Sequence, residues 1–271
     1  MDALRNDRES LVVITGGLGR VATVLRPHLR AHHRLRLVDR AASAEPAPIE
    51  PGIDVHQADI GDPDAAYRAF DGADAIVHLA GDSNPWHGWD EVYAANVPPT
   101  ETVLAAAAER GVPKVVLASS LHAVGEYNRP EYWPVSPQLE PRPCCPYGVT
   151  KVEVEALGRS HAERTGASVT CLRLGLTGWP LTERRYLGMW LSNDDAGRLF
   201  LAALRTPEPY GVHFGVSANT RNNWDTTSAQ EALGYRPRDD SEIFAGSAGP
   251  PSGPVCRIFD DSETSGCEER P

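Results

Sequence analysis

The stretch Leu11-Val12-Val13-Ile14-Thr15-Gly16-Gly17-Leu18-Gly19-Arg20-Val21-Ala22 decides how the rest of the chain is read. A short apolar, β-branched run ends in glycines and is followed by helical spacing at Val21, Val24, Leu25 and Leu29, which predicts strand, turn, helix. Pro27 lies inside that helix and is expected to kink or end it. Gly16, Gly19 and Ala22 fit the pattern G-x-x-G-x-x-G/A. Small residues there permit a tight turn, let a pyrophosphate approach the backbone N–H groups at the helix start, and let helix and strand pack closely. Such a turn alone also suits an ordinary strand-to-helix connection. The context is more telling: Asp39 closes the next strand twenty residues after Gly19, where a carboxylate can accept hydrogen bonds from the adenosine ribose. A carboxylate there repels a 2′-phosphate and favours NAD. Arg20 and Arg40 could pair with that phosphate, so NADP stays open.

Outward from this turn, apolar runs recur at Leu35-Arg36-Leu37-Val38, Ile53 to Gln57, Ala75 to Leu79, Lys114 to Ala118 and Ser168 to Leu172, with helix-favouring stretches at Glu91–Arg110 and about Tyr147–Thr165. Strands that are apolar on both faces and alternate with helices predict an α/β fold, a doubly wound parallel (Rossmann) sheet. Proline- and aromatic-rich segments without a sustained period, about 126–146, 175–193 and 217–245, are expected to cap the carboxyl edge as a small substrate lobe. Residues 1–245 are thus expected to form a single domain. Gly, Ser, Pro and acidic residues dominate 246–271, which is expected to be a disordered tail.

The net charge of −11 argues against a nucleic-acid partner, which needs a basic face. The polar start Met1 to Ser10 has no signal-peptide character and leads into an apolar run too short to cross a membrane, so a soluble, cytoplasmic chain acting on a small molecule is expected. Homo-oligomerisation stays open. The five cysteines include no Cys-x-x-Cys, and no His, Cys or carboxylate group has metal-ligand spacing along the chain, so no metal is expected.

Tyr147-Gly148-Val149-Thr150-Lys151 sets a phenol and an ammonium four residues apart, on one face of a helix. A phenol titrates near pH 10, and a neighbouring cation is expected to lower that value so that Tyr147 can take a proton from a substrate hydroxyl. Ser120, at the end of the preceding strand, can hold the same oxygen.

With the glycine turn, Asp59-Ile60, His78-Leu79-Ala80-Gly81, Asn96-Val97, Ala118-Ser119-Ser120 and Tyr147-x-x-x-Lys151 in this order, the chain resembles the extended short-chain dehydrogenase/reductases from Leu11 to about Arg238. The resemblance implies that Ser120, Tyr147 and Lys151 are catalytic. It also implies that Gly16, Gly19, Arg20, Asp39, Asp59, Ile60, Leu79, Ala80, Gly81 and Asn96 bind the cofactor together with Tyr147 and Lys151. Within that superfamily, Val77 to Gly81, Ser119 to Gly125 and Arg185 to Asp195 are similar to uronate dehydrogenases, which oxidise the anomeric carbon of hexuronic acids. This likeness implies substrate contacts from Ser83 and His122 and a carboxylate clamp at Arg185. The family pattern has an asparagine and a serine where this chain has Leu121 and Leu176, which points to a less hydroxylated or differently shaped substrate. His78 is expected to be a hydrogen-bonded structural residue. The expected function is NAD-dependent oxidation or reduction at the hemiacetal or secondary hydroxyl of an acidic, sugar-like compound. The alternatives are a sugar-nucleotide epimerase or dehydratase, disfavoured by the little chain remaining after Asp195, and a catalytically silent NAD(P)-sensing protein, disfavoured by the presence of both Tyr147 and Lys151.

Overall fold

The first strand, β1 (Leu11–Thr15), is buried along its whole length. Its side chains alternate between the two faces of the sheet: Val12 and Ile14 pack into one apolar layer and Val13 into the other. In the computed structural model, which describes residues 10–41, 52–252 and 256–259, β1 pairs in parallel with β2 (Arg34–Asp39) and with β4 (Ala75–His78). Strand β3 (Ile53–Gln57) lies outside β2, and β5 (Lys114–Ser120), β6 (Ser168–Leu174) and β7 (Tyr210–Gly215) continue beyond β4. The sheet order is β3-β2-β1-β4-β5-β6-β7, and all pairings are parallel. The doubly wound expectation holds. The strand order reverses between β1 and β4, and at such a switch point the loops diverge to leave a crevice at the carboxyl edge.

Helices α1 (Arg20–Leu29) and α5 (Asn193–Arg205) cover one face, burying Leu25, Leu29, Leu199 and Phe200. Helices α2 (Pro63–Ala69), α3 (Trp89–Glu109) and α4 (Pro146–Thr165) cover the other through residues such as Val103, Leu104 and Val154. Each such buried aliphatic side chain contributes about 1.5–3 kcal/mol. A short helix α6 (Thr227–Ala232) follows β7.

The helix ends follow local chemistry. The Asp62 carboxylate accepts from Asp64 N–H at 2.9 Å and precedes Pro63 at the first helical position, while the Ser192 hydroxyl accepts from Asp195 N–H at 2.9 Å. Pro27 does not break α1, which continues two residues past it to Leu29. α3 likewise runs through Pro98 and Pro99.

Strand β7, absent from the sequence expectations, ends the sheet; its glycines Gly211 and Gly215 weaken the β-propensity of the segment. Of the three segments expected to form a lobe, the first and third are tied by a backbone bridge between Val135 and Trp224, the second is closed on itself by one between Leu176 and Trp190, and Ser217 N–H donates to the Trp190 carbonyl at 2.9 Å. A third apolar cluster beneath them contains Leu121, Val124, Met189, Phe214 and Trp224.

That cluster also contains Cys256 and Ile258, which corrects the expectation of disorder from residue 246 onward. Gly249 N–H donates to the Thr182 carbonyl at 2.8 Å and Arg184 N–H to the Gly249 carbonyl at 3.0 Å. Ala248, Cys256 and Ile258 are buried. A composition dominated by Gly, Ser and Pro hid a few apolar residues that find a groove on the lobe. Residues 253–255 and 260–271 of that expected tail lie outside the described residues.

Candidate functional site

The tight turn after β1 depends on Gly16, whose φ of +65° is a conformation L side chains avoid. A Cβ there would also lie 2.8 Å from Ala80 N, so the loops after β1 and β4 meet backbone to backbone at the switch point. Gly19 N–H closes the turn on the Gly16 carbonyl at 3.0 Å, and the first intrahelical bond of α1 runs from Thr23 N–H to the Gly19 carbonyl at 2.9 Å. The amides of Arg20, Val21 and Ala22 therefore have no intrahelical partner. These three residues, with Gly16 and Gly19, line a cavity of about 800 Å³. A concave wall of unpaired amides at a helix start, kept open by a glycine, suits a pyrophosphate.

Asp39 ends β2 beside this turn and receives Leu18 N–H and Ala41 N–H, each at 3.0 Å. Its carboxylate is thus fixed along the carboxyl edge, outside the cavity wall. Asp59 lies on the same edge, accepting from Gly61 N–H at 2.9 Å, while Ile60 is buried in the core. Leu79 and Gly81 line the cavity, and Ala80 packs behind them. Asn96 is not on the wall, contrary to its expected cofactor contact. Its Oδ1 accepts from Asp82 N–H at 2.8 Å, and its Nδ2 donates to the Asp82 carbonyl at 3.0 Å and Thr150 Oγ1 at 2.9 Å. It braces the loop after β4 against α4.

Ser120, Tyr147 and Lys151 converge on the same cavity. Ser120 ends β5, and its hydroxyl stands near enough to the Tyr147 phenol to favour the phenolate. Tyr147 sits in the first turn of α4 because Pro146 starts that helix and Cys145 caps it, the Cys145 sulfur accepting Gly148 N–H at 3.4 Å. Lys151 follows one turn later, with Nζ donating to the Ala118 carbonyl at 3.0 Å and lying 5.6 Å from the centre of the Tyr147 ring.

The expectation that Lys151 lowers the phenol's pKa is not met in this arrangement. Burial pushes the Tyr147 phenol up to about 12, against the downward pull of the Ser120 hydroxyl. Burial also brings the Lys151 ammonium down to about 8, although Glu155 and Asp82 oppose that fall. Both groups are desolvated together, and burial is the largest cause of each shift.

His78 is a structural residue: its ring nitrogens sit 2.7 Å from Thr15 Oγ1 and 3.0 Å from Thr100 Oγ1. Burial, with Lys151 nearby, pushes its pKa down to about 3, so it stays neutral.

Ser83, Leu121, His122 and Leu176 also line the cavity. Arg185 does not. Its Nε pairs with Glu183 Oε2 at 2.7 Å, its Nη2 donates to the Ser252 carbonyl at 2.5 Å, and its guanidinium lies 5.4 and 5.3 Å from the Tyr186 and Phe259 ring centres. Nη1, and Nε apart from that ion pair, are buried without a hydrogen-bond partner among the described residues. The segment reaching Phe259 and the Glu183 carboxylate screen this arginine from the cavity.

Several lining residues escape the sequence reading. Thr177 Oγ1 is buried with no partner among the described residues, and Trp179 lines the cavity with the Arg20 guanidinium 3.8 Å from its ring centre. Cys256, Ile258 and Phe259 come from the segment expected to be disordered. The glycine and aromatic signals of residues 175–193 mark a loop, but only the fold shows which of its side chains face inward.

The expectation that the cysteines cannot assemble a metal-ligand set also fails in space. The side chains of His122, Cys144, Cys145 and Cys256 bring one ligand atom each to within 4.8 Å of one another. These residues come from three separate parts of the sequence, so no local spacing announces them.

Residues 12–177 match the model of a family described as the NAD dependent epimerase/dehydratase family. The chain is 35% identical to a protein of Haloferax volcanii named NAD-dependent glucose-6-phosphate dehydrogenase, over 86% of this chain and 95% of that one. It is also 35% identical to the uronate dehydrogenase of Pseudomonas syringae pv. tomato, over 86% of this chain and 83% of that one. The solved structure of a mutant uronate dehydrogenase from Agrobacterium tumefaciens, complexed with NAD, is similar with a TM-score of 0.79 and 31% identity, covering 90% of this chain and 91% of that one.

Proposed function

Because the chain belongs to the NAD dependent epimerase/dehydratase family, we propose that it is a dehydrogenase that uses NAD to oxidise the hemiacetal or a secondary hydroxyl of a sugar-like substrate. One observation carries this reading: Ser120, Tyr147 and Lys151 line the same cavity as the glycine turn and the first amides of α1.

The turn and helix start would hold the pyrophosphate of NAD, and Asp39 would receive the adenosine ribose hydroxyls. When bound, NAD supplies the hydride acceptor. Ser120 Oγ and the Tyr147 phenolic oxygen then hold the reacting hydroxyl between them, and Tyr147 takes its proton as the C–H bond breaks. Lys151, anchored on Ala118, keeps a positive charge beside the phenolate that this transfer requires.

Leu121 and Leu176 in the cavity wall offer a ligand's hydroxyls no hydrogen-bond partner from their side chains. Arg185 does not line the cavity and meets an acidic substituent only by exchanging the Glu183 carboxylate for it.

The test is a panel of uronic acids, neutral aldoses and small alcohols with NAD and with NADP, followed at the reduced-nicotinamide absorbance. Oxidation of a sugar with NAD is expected, and it should disappear in Tyr147→Phe while NADH binding persists. Turnover surviving that substitution would overturn the assigned chemistry.

A further inference from the structure

His122, Cys144, Cys145 and Cys256 gather one ligand atom each within 4.8 Å of one another. His122 Nδ1 lies 3.4 Å from Cys144 Sγ, 3.4 Å from Cys145 Sγ and 3.5 Å from Cys256 Sγ, and the Cys144 and Cys256 sulfurs are 3.7 Å apart. A zinc ion bound tetrahedrally at about 2.3 Å from sulfur and about 2.0–2.1 Å from nitrogen sets sulfur–sulfur edges of about 3.8 Å and nitrogen–sulfur edges of about 3.6 Å. The three nitrogen–sulfur distances and the Cys144–Cys256 sulfur–sulfur distance follow that pattern, shorter to nitrogen and longer between the two sulfurs. A disulfide needs its sulfurs at about 2.05 Å, far inside the observed separation.

The surroundings accommodate ligands more than packed thiols. A Cβ on Gly125 would overlap Cys144 Sγ, so glycine leaves the room this sulfur occupies. The Cys145 sulfur accepts Gly148 N–H at 3.4 Å, the kind of amide contact that supports a thiolate ligand. The His122 ring is oriented edge-on to Tyr147, with centroids 5.5 Å apart.

We propose that these four side chains form a structural site for a thiophilic divalent metal, zinc. Sulfur and imidazole donors select such a metal over magnesium or calcium, and four protein ligands leave no position for a reacting water. The site joins three pieces of chain that the sheet does not: the 3-10 helix Leu121–Tyr127 after Ser120, the residues that start α4 two positions before Tyr147, and the segment at Cys256. Cys256 and Ile258 line the substrate end of the cavity, so the metal would fasten that wall to the helix carrying Tyr147 and Lys151.

The full chain, produced with zinc in the medium and purified under thiol reductant without chelator, should carry about one zinc per chain by elemental analysis. X-ray absorption at the zinc edge should then fit three sulfurs and one nitrogen, with sulfur at about 2.3 Å. Cobalt in place of zinc should give the intense visible bands and thiolate charge transfer of a tetrahedral site. Cys256→Ser and Cys145→Ser should each lose most of the metal. The absorption and cobalt readouts use the unaltered chain, so a variant that fails to fold does not blunt the test. A chain without zinc whose five thiols titrate freely, a zinc shell made of oxygen and nitrogen, or a Cys144–Cys256 disulfide formed under the same reductant would each overturn the proposal.

Discussion

Lys151 Nζ donates to the Ala118 carbonyl across 3.0 Å, binding the second turn of α4 to the strand that ends in Ser120. This contact holds the ammonium 5.6 Å from the Tyr147 ring, with both groups out of water. Tyr147 is therefore mostly protonated at neutral pH, and oxidation needs the small phenolate fraction.

With the phenol pushed up to about 12 and Lys151 brought down to about 8, the rate of oxidation should depend steeply on pH. Below its pKa the phenolate fraction grows about tenfold per pH unit, so kcat/KM for oxidation should climb with a slope near one from neutral pH. Above about pH 8 Lys151 sheds the charge that favours phenolate, and the rise should become shallower. Lys151→Met should shift the rising limb to higher pH and remove that break. Steady-state kinetics across the range check this, and a flat profile would contradict it.

Asp39 sits between two amides, Leu18 N–H and Ala41 N–H, and so cannot turn away from the place a 2′-phosphate would occupy. Asp39→Asn keeps the shape and removes the charge. The preference for NAD over NADP, as a ratio of kcat/KM values, should fall by about tenfold or more, the scale of one charge-assisted contact. An unchanged ratio would show that Asp39 does not read the ribose.

The parts of this site that can be read from sequence are those whose signal is local. Gly16, Gly19 and Ala22 follow one strand in close succession, and Tyr147 and Lys151 lie one helical turn apart. Ser120 is recognisable because it ends an apolar run. By contrast, Cys256 meets Cys144 across 112 positions, so only the folded chain reveals the cluster. Asn96 belongs to a motif that implies cofactor contact, yet it bonds Asp82 and Thr150, since a motif residue gives no direction for its side chain. The sign of the Tyr147 shift is hidden for a related reason: proximity to a cation is visible in a four-residue spacing, but depth of burial is not. Strand β7 escapes notice because its two glycines hide the alternation that burial makes plain.

Glu155, one turn beyond Lys151, forms a buried pair with Arg173 on β6, with Arg173 Nε and Nη2 donating to its two oxygens at 2.8 Å each. Ser119 Oγ adds a hydrogen bond at 2.5 Å, and the Pro137 carbonyl accepts from Arg173 Nη1 at 3.1 Å. Removing one partner strands the other charge away from water. Arg173→Met should cost about 3–5 kcal/mol of unfolding free energy by urea titration, and adding Glu155→Gln should recover part of it. Additive losses would mean that the pair is not coupled.

Glu183 decides how much of Arg185 a substrate can use. The guanidinium already has one carboxylate at Nε, a carbonyl at Nη2 and two aromatic rings at its faces, leaving Nη1 without a hydrogen-bond partner among the described residues. An acidic sugar must then compete with Glu183, whereas a neutral sugar has no need of the arginine. Glu183→Gln removes the competing charge and keeps the volume. The ratio of kcat/KM for a hexuronic acid to that for the corresponding neutral aldose should rise by about tenfold, the scale of one charged hydrogen bond. Arg185→Ala in the Glu183→Gln background should cancel the gain. If Glu183→Gln leaves the ratio where it was, Arg185 belongs to the packing of the segment around Ser252 and Phe259, and recognition of the substrate's substituent must come from elsewhere in the cavity.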